Sequence, residues 1–483
     1  MITRLTLGTT ADIAVQIPSQ VSDPYRYVPF HVPAGTTRLD VTCETECRGR
    51  AYIDLGLFDP SATAFPTRSG FRGWSGSARN RFHVATDSST PGYVAGAVPG
   101  GTWRIILGCY VIPDGGATVR LTVRASERSE PHSKSDGARA TCGPPEQPDP
   151  VRRGAGWYRG DLHAHTFHSD AEGSPQVLHR LASALGLDYL AVTDHNTVTA
   201  WDYFTAASSP ELVFVPGVEI TTYRGHANVL GVRDWIDFRI RTEDDLTQLA
   251  AEVRRRNALL SVNHDKPPMR WTLPEPDMAC MEVWQRHWWT GNEASLARFD
   301  ARIRQGRRIT LIGGSDYHTP ARPLAEDPFG LGCPTTVVWL EELSIAALIA
   351  GLARGCVYVT ESPRGPHLEI RAHGVPMGGV VRAPNRLVVD VDVRGAAGDI
   401  LLLVGPDGPV AETVIDATHF ALEVPGARGF VRAEIIAAAS AARLEAAHQH
   451  WCNAHEPPPR AIERGTASPQ RLVRALSNPI YLS

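Results

Sequence analysis

Ser174-Pro-Gln-Val-Leu-His-Arg-Leu-Ala-Ser-Ala-Leu-Gly186, followed directly by Leu187-Asp-Tyr-Leu-Ala-Val-Thr-Asp-His-Asn196, is the stretch on which the fold turns. Ser174 suits a helix N-cap, Pro175 the first helical position, and Gly186 a stop. Between them Val177, Leu178, Leu181, Ala182 and Leu185 recur at helical spacing and make one apolar face. Tyr189-Leu-Ala-Val192 then reads as a short buried strand, and the polar Thr193-Asp-His-Asn196 follows it at once. A covering helix, a buried strand and polar groups just past the strand end form the repeating unit of a parallel α/β sheet, of which a barrel is one closed form.

The same alternation extends over residues 157–364. A helix begins near Thr242, with Glu243 and Asp245 in its first turn and Leu246, Leu249, Ala250 and Val253 on its apolar face. Strands at 259–262 and 280–283, a helix near 293–305 and a strand at 309–312 continue the pattern. Residues 1–125 behave differently. Short runs at 38–42, 51–55, 102–107 and 118–123 alternate with period two, which predicts an antiparallel β-sandwich or jelly roll. Residues 126–156 are polar and turn-rich, as in a linker, and 365–483 return to short strands, as in a smaller C-terminal β domain.

Composition narrows the function. Of 483 residues, 43% are hydrophobic and 21% charged, an ordinary globular balance that excludes general disorder. The net charge of −4 counts against a protein built to hold a nucleic-acid backbone. No apolar run reaches the ~20 residues of a membrane helix, and the N-terminal segment lacks a signal-peptide core, so a soluble cytoplasmic protein is expected. The 8 Cys are scattered, which excludes a disulfide scaffold; Cys43 and Cys47 read as ordinary thiols. Neither a Walker loop nor a nucleophile elbow in its proper context appears.

What does stand out is a series of metal-ligand residue types, each just after an apolar strand or turn. Asp161-Leu-His163-Ala-His165 comes first, with Ser169-Asp170 close behind. Asp194 and His195, Glu219, His226, His264, and Asp316-Tyr-His318 follow in order. Residues i and i+2 of an extended strand point the same way, so His163 with His165, and Asp316 with His318, can chelate one ion. A carboxylate such as Glu219 can bridge two. Imidazole and carboxylate donors together suit Zn, Mn or Fe.

The ordered set Asp161-x-His-x-His-Thr-x-x-Ser-Asp170, Thr193-Asp-His-Asn196, Pro216-Gly-Val-Glu-Ile220, Gly225-His-x-Asn228, Asn263-His264 and Gly314-Ser-Asp-x-His318 resembles the PHP (polymerase and histidinol phosphatase) metallohydrolase superfamily. The CehA/McbA-like branch looks nearest, through Gly225–Gly231, Glu282, Tyr358-Val-Thr-Glu-Ser-Pro363 and Ser477-Asn-Pro-Ile-Tyr481. The resemblance implies a multidomain α/β protein with a distorted (β/α)7 barrel and two or three divalent ions. His163, His165, Glu219 and Asp316 would hold one ion; Glu219, His226 and His264 a second; Asp170, His195 and His318 a third. It also implies a phosphoesterase that uses a metal-bound hydroxide on an anionic small molecule, or alternatively a carbamate, carboxylic ester or amide hydrolase with the same cage.

The remaining polar residues near these motifs carry two readings each. Asp194 orients a histidine ligand or caps a helix, and His168 stands behind the ligands or in solvent. Arg224 and Lys266 hold an anionic substrate or are solvated loop charges. Glu282 is a strand-end polar residue, and His287-Trp-Trp289 forms a pocket wall or a core patch.

Overall fold

The computed structural model of the protein describes residues 2–127, 151–319, 330–382, 386–426, 428–446 and 471–483. Most of the segment expected as a linker, 126–156, lies outside the described residues. Its far end is already strand: Arg152–Asp161 pairs antiparallel with Thr335–Leu343 from Arg152 onward.

Residues 2–127 hold strands and no helix among the described residues. Five strands make one sheet, in the order Thr3–Arg4, Tyr25–Val32, Gly101–Val111, Tyr52–Phe58, Phe71–Gly76. Four make another, in the order Thr10–Ile17, Ala117–Ser126, Arg38–Glu46, Arg81–Ala85. Period-two patterning explains the burial: Val119, Leu121, Val123 and Ala125 turn inward while Arg120 and Arg124 face water. These inward residues join Phe30, Leu55, Leu57 and Ile105 of the first sheet in one apolar core.

The central segment carries five helices among the described residues: α1 (Pro175–Leu185), α2 (Trp201–Ala207), α3 (Glu243–Arg255), α4 (Asn292–Arg304) and α5 (Ile345–Arg354). Helix α1 starts where the Ser174 side chain accepts from the Val177 N–H, and it stops at Gly186, which takes the left-handed conformation (φ 67°). Helix α3 opens with a reciprocal capping box between Thr242 and Asp245.

The strands beneath these helices do not make the closed, all-parallel ring that the (β/α)7 expectation requires. They lie in an open path: Thr310–Gly314, Cys280–Gln285, Leu259–Val262, Gly225–Leu230, Val213–Thr222, Tyr189–Val192, Arg152–Asp161, Thr335–Leu343, Val357–Thr360. At the would-be seam, between Thr310–Gly314 and Arg152–Asp161, the pairing is reduced to an isolated bridge, Ala164 to Tyr317. A side chain of the next strand, Thr335–Leu343, ties Thr310–Gly314 in beside it. The Thr336 hydroxyl accepts from Gly313 N–H at 2.9 Å and donates to Gly313 C=O at 2.7 Å. The sheet is also mixed, because Gly225–Leu230 runs antiparallel to both neighbours. That reversal brings the start of this strand, with His226 opposite Thr221, to the rim where both neighbours end.

The C-terminal strands are likewise not all a sheet of their own. Val473–Ser477, Gly429–Ile436, Ile400–Gly405 and Gly408–Val414 extend the central path beyond Val357–Thr360. A separate four-stranded sheet is built from Val375–Pro376, His367–Ala372, Arg386–Arg394 and His419–Pro425. The Asn478 amide stitches distant strands together: it accepts from Leu311 N–H (2.8 Å) and donates to Leu311 C=O (2.9 Å) and Val357 C=O (3.1 Å).

The N-terminal sheets pack directly on the central segment. Phe71 stacks on Trp235 with ring centroids 4.0 Å apart, and Tyr25, Phe58, Trp74 and Ile106 share an apolar core with Val218, Ile220 and Phe238. Arg239, buried, pairs with Asp237 and donates to Tyr27 Oη and to the carbonyls of Thr63 and Ala64.

Candidate metal centre

The strand ends gather the nine metal-ligand candidates at one rim. Glu219, at the end of the central apolar run of Val213–Thr222, has no solvent exposure and stands in the middle. Its Oε1 lies 3.3 Å from His163 Nε2, 3.3 Å from His264 Nε2 and 3.4 Å from His226 Nδ1. Its Oε2 lies 2.8 Å from His195 Nδ1 and 3.7 Å from His165 Nε2. Asp316 Oδ1 stands 3.4 Å from His163 Nε2 and 3.0 Å from His165 Nε2. Asp170 Oδ1 is 3.4 Å from His195 Nε2 and 3.2 Å from His318 Nε2.

Four compact donor groups result: His163, His165 and Asp316; His163, Glu219 and His264; His195, Glu219 and His226; and His165, Asp170, His195 and His318. His264 and His226 fall in different groups by mutual distance, and both face the same Glu219 oxygen, Oε1, while His195 faces Oε2. His226 enters on the reversed strand, opposite Thr221.

Several backbones at this rim are bent out of the usual regions. Asn196 (φ 56°), His264 (φ 28°), Arg286 (φ 56°) and Asp316 (φ 50°) are four non-glycine residues with positive φ, all just past strand ends. Such conformations cost of order 1–3 kcal/mol each and persist where surrounding contacts over-determine them.

The electrostatics ask for positive charge at the centre. Burial alone would raise the Glu219 carboxyl, but His163, His195 and His226 hold it well below the usual carboxylate range. Burial likewise opposes protonation of His163, yet Glu282, Glu219 and Asp316 raise it well above an ordinary imidazole. His195 is lifted to about 10, with burial opposing and Asp170 and Glu219 prevailing. His165 goes the other way, pushed down to about 3 by burial and by His318 and His195. The donor set also fits divalent ions in detail. His163 Nε2 and His226 Nδ1 are buried without a hydrogen-bond partner, while both stand beside Glu219 Oε1. Buried polar nitrogens are rarely left so unless another partner is due.

The supporting shell is only partly what the motifs predict. Glu282 is not a mere strand-end polar residue. It is buried in the strand Cys280–Gln285, where Oε1 meets His163 Nδ1 at 2.8 Å and Oε2 accepts from His264 N–H at 3.0 Å, fixing two candidate ligands at once. The signal was a carboxylate inside an otherwise apolar strand. Asp194 caps no described helix, and it is absent from the four donor groups. Its oxygens accept from Thr166 N–H, Thr166 Oγ1 and Ser169 Oγ, all at 2.7 Å, and so hold the loop that follows His165. His168 is buried against Thr199 Oγ1 at 2.8 Å and belongs to none of the donor groups.

Of the two cations expected to hold an anionic substrate, Lys266 has its donors taken up by protein groups and Arg224 is exposed. Lys266 is buried and donates to Gln285 C=O (3.1 Å), Thr290 Oγ1 (2.9 Å) and Asn292 Oδ1 (2.7 Å), which uses up its three donors. Burial pushes its ammonium down to about 7. Arg224 is exposed and its guanidinium donates to Thr272 C=O. The cation beside the centre is instead Arg286, whose Nη2 donates to Asp316 C=O (3.1 Å) and Oδ2 (3.0 Å). His287 stacks on Trp289 (3.9 Å) and Trp288 packs edge-on against Trp284 (5.0 Å), a packing patch outside the donor groups.

Residues 161–288 match the PHP domain family. That span contains seven of the nine candidates, from His163 to His264, and ends before Asp316 and His318. The matched span thus falls on the segment that supplies most of the donor groups. Among solved structures it is similar to a two-domain protein from Bacteroides vulgatus that contains a predicted PHP-like metal-dependent phosphoesterase. That match has 17% identity and a TM-score of 0.37, over 61% of this chain and 95% of that one. It is similar also to a proposed metal-dependent phosphoesterase from Bifidobacterium adolescentis (18% identity, TM-score 0.27, 36% of this chain and 90% of that one). A third is an amidohydrolase from Chromobacterium violaceum with bound sulfate (14% identity, TM-score 0.26, 33% of this chain and 88% of that one). Among curated proteins none matches.

Proposed function

We propose that the protein is a divalent-metal-dependent hydrolase of small anionic phosphoesters, built on residues 157–364 with flanking β units at 1–125 and 365–483. One observation carries the proposal: Glu219 turns its two oxygens to two different sets of imidazoles, with Asp316 and Asp170 completing neighbouring groups. Ions of the Zn, Mn or Fe type, two or three in number, would be held by His163, His165, Asp170, His195, Glu219, His226, His264, Asp316 and His318. When bound they supply a water of lowered pKa and neutralise charge on phosphoryl oxygens.

The protein's own groups do the rest. Glu282 keeps His163 oriented through its Nδ1 and presents its Nε2 to the centre. Arg286 adds a fixed cation at Asp316, which favours a substrate with phosphoryl charge over a neutral carbamate or amide. Side chains of His195 and His318 stay 18% and 21% exposed, so the group they form with Asp170 is the open side of the centre, where a substrate enters. The segments Gly225–Gly231, 358–363 and 477–481, with the leading β unit, favour the CehA/McbA-like branch.

The test is a substrate panel on protein loaded with Mn, Zn or Fe. Hydrolysis of p-nitrophenyl phosphate with little action on aryl carbamates and anilides is expected. Carbamate or amide hydrolysis without phosphatase activity would overturn the phosphoester assignment while keeping the metal site.

A further inference from the structure

Two turns of the N-terminal β segment reach the loop that carries Asp170. Arg79 stands between the strands Phe71–Gly76 and Arg81–Ala85. Its Nη1 donates to Ser169 C=O at 2.9 Å and its Nη2 donates to Phe167 C=O. Gly92 is held at φ +93°, and a Cβ there would stand 2.6 Å from His168 C=O. Its N–H donates to Thr199 Oγ1 at 3.1 Å and its C=O accepts from Thr197 Oγ1 at 3.2 Å. Thr199 Oγ1 in turn bonds His168 Nδ1 at 2.8 Å.

Arg79 therefore grips residues 167 and 169, Gly92 packs closely over residue 168, and Asp170 is the next residue. Its side chain is 45% exposed, the most of the nine candidates, against none for Glu219. Packing around the carboxylate does little to place it, so the backbone before it must. From within, Asp194 holds Thr166 and Ser169; from outside, the two carbonyls at 167 and 169 rest on one guanidinium.

We propose that Arg79 is a positioning residue for the ion held by His165, Asp170, His195 and His318. The N-terminal β segment thereby becomes part of the metal centre and sets the affinity of its most exposed ion. This rests on reading those four residues as a metal site. The planar fork of arginine spans two carbonyls at once, which a lysine ammonium on a flexible stem does less well.

The experiment compares full-length wild type, Arg79→Ala, Arg79→Lys and Tyr27→Phe. The last loosens a different contact of the same packing surface, the Arg239–Tyr27 bond, without touching the loop. The readouts are ions per chain by elemental analysis across graded free Mn, the d–d spectrum of the Co-substituted protein, and far-UV circular dichroism. Arg79→Ala should weaken the loosest ion at least ~10-fold, on the scale of a lost supporting contact to a metal ligand. The tighter ions should stay, Arg79→Lys should fall between, and Tyr27→Phe should match wild type. A folded Arg79→Ala with wild-type ion number and affinity overturns the proposal, as does equal ion loss in Tyr27→Phe. Should Arg79→Ala not fold, Arg79→Lys carries the same test: unchanged ion affinity in it overturns the proposal. A wild-type protein that binds no divalent ion overturns the metal reading itself, a distinguishable result.

Discussion

Replacing Glu219 with Gln probes the centre most directly. The carboxylate is fully buried, and imidazole nitrogens of His163, His165, His195, His226 and His264 stand 2.8–3.7 Å from its oxygens. Gln keeps the shape but removes the charge and puts a donor where the site presents other donors or cations. Removing one partner from a buried charged set costs about 3–5 kcal/mol. At 1.36 kcal/mol per tenfold, the lower figure is already about 10²-fold. Ion affinity should fall by at least that factor, and turnover at limiting metal with it. The assay is elemental analysis after dialysis at fixed free metal, paired with kcat measured at limiting and saturating metal. Full ion content and full turnover in Glu219→Gln would refute the bridging role. The cage would then rest on Asp170 and Asp316.

Glu282→Gln should lower metal affinity by about 10–100-fold, the usual cost of losing an outer carboxylate behind a histidine ligand; unchanged affinity in a metal titration would show that His163 needs no such support. Lys266→Met should cost about 1–3 kcal/mol in denaturant unfolding, through the acceptors it strands, and leave KM for an anionic substrate unchanged; a raised KM would return Lys266 to the substrate site. Asp54, beneath Tyr223, is raised from 3.8 to about 6, burial outweighing its hydrogen bond from the Tyr223 hydroxyl. A raised carboxyl favours the fold while protonated, so its contribution is full below about pH 4 and is lost as pH rises through about 6. Two units are worth about 3 kcal/mol, and Asp54→Asn should flatten this part of the stability profile between pH 4 and 7; an unchanged slope would contradict it. Chelation should lower the melting temperature, and free metal at 100 times its Kd should restore about 2.7 kcal/mol; identical melting with and without chelator would count against a tight site.

Much of the centre is legible because its chemistry is local. His163 and His165 need only an extended backbone to face one way, and Ser174, Pro175 and Gly186 encode α1 within a dozen residues. What is not legible depends on register between distant segments. Nothing near His226 says that its strand runs backward, so the way it reaches Glu219 Oε1 beside His264 is invisible in the motif order. Lys266 and Arg224 sit beside candidate ligands in sequence, yet loop geometry turns one into the α4 N-terminus and the other to the surface. Arg79 reaches the loop before Asp170, and Arg286 reaches Asp316, only through tertiary packing. The tie beside Gly313 at the open seam comes from a hydroxyl, Thr336, on another strand.

The Asn478 stitch has a consequence in time. Leu311, on the strand that leads to Asp316, finds this amide partner 167 residues later in the chain. At ~5–20 residues per second of synthesis, roughly 8–33 s separate the two on the ribosome. During that interval the strand bearing Asp316 lacks its lateral clasp, while His163, His165 and Glu219 have already emerged. The growing polypeptide thus holds all nine candidate donors before residue 478 is added to clasp the strand that leads to the last two.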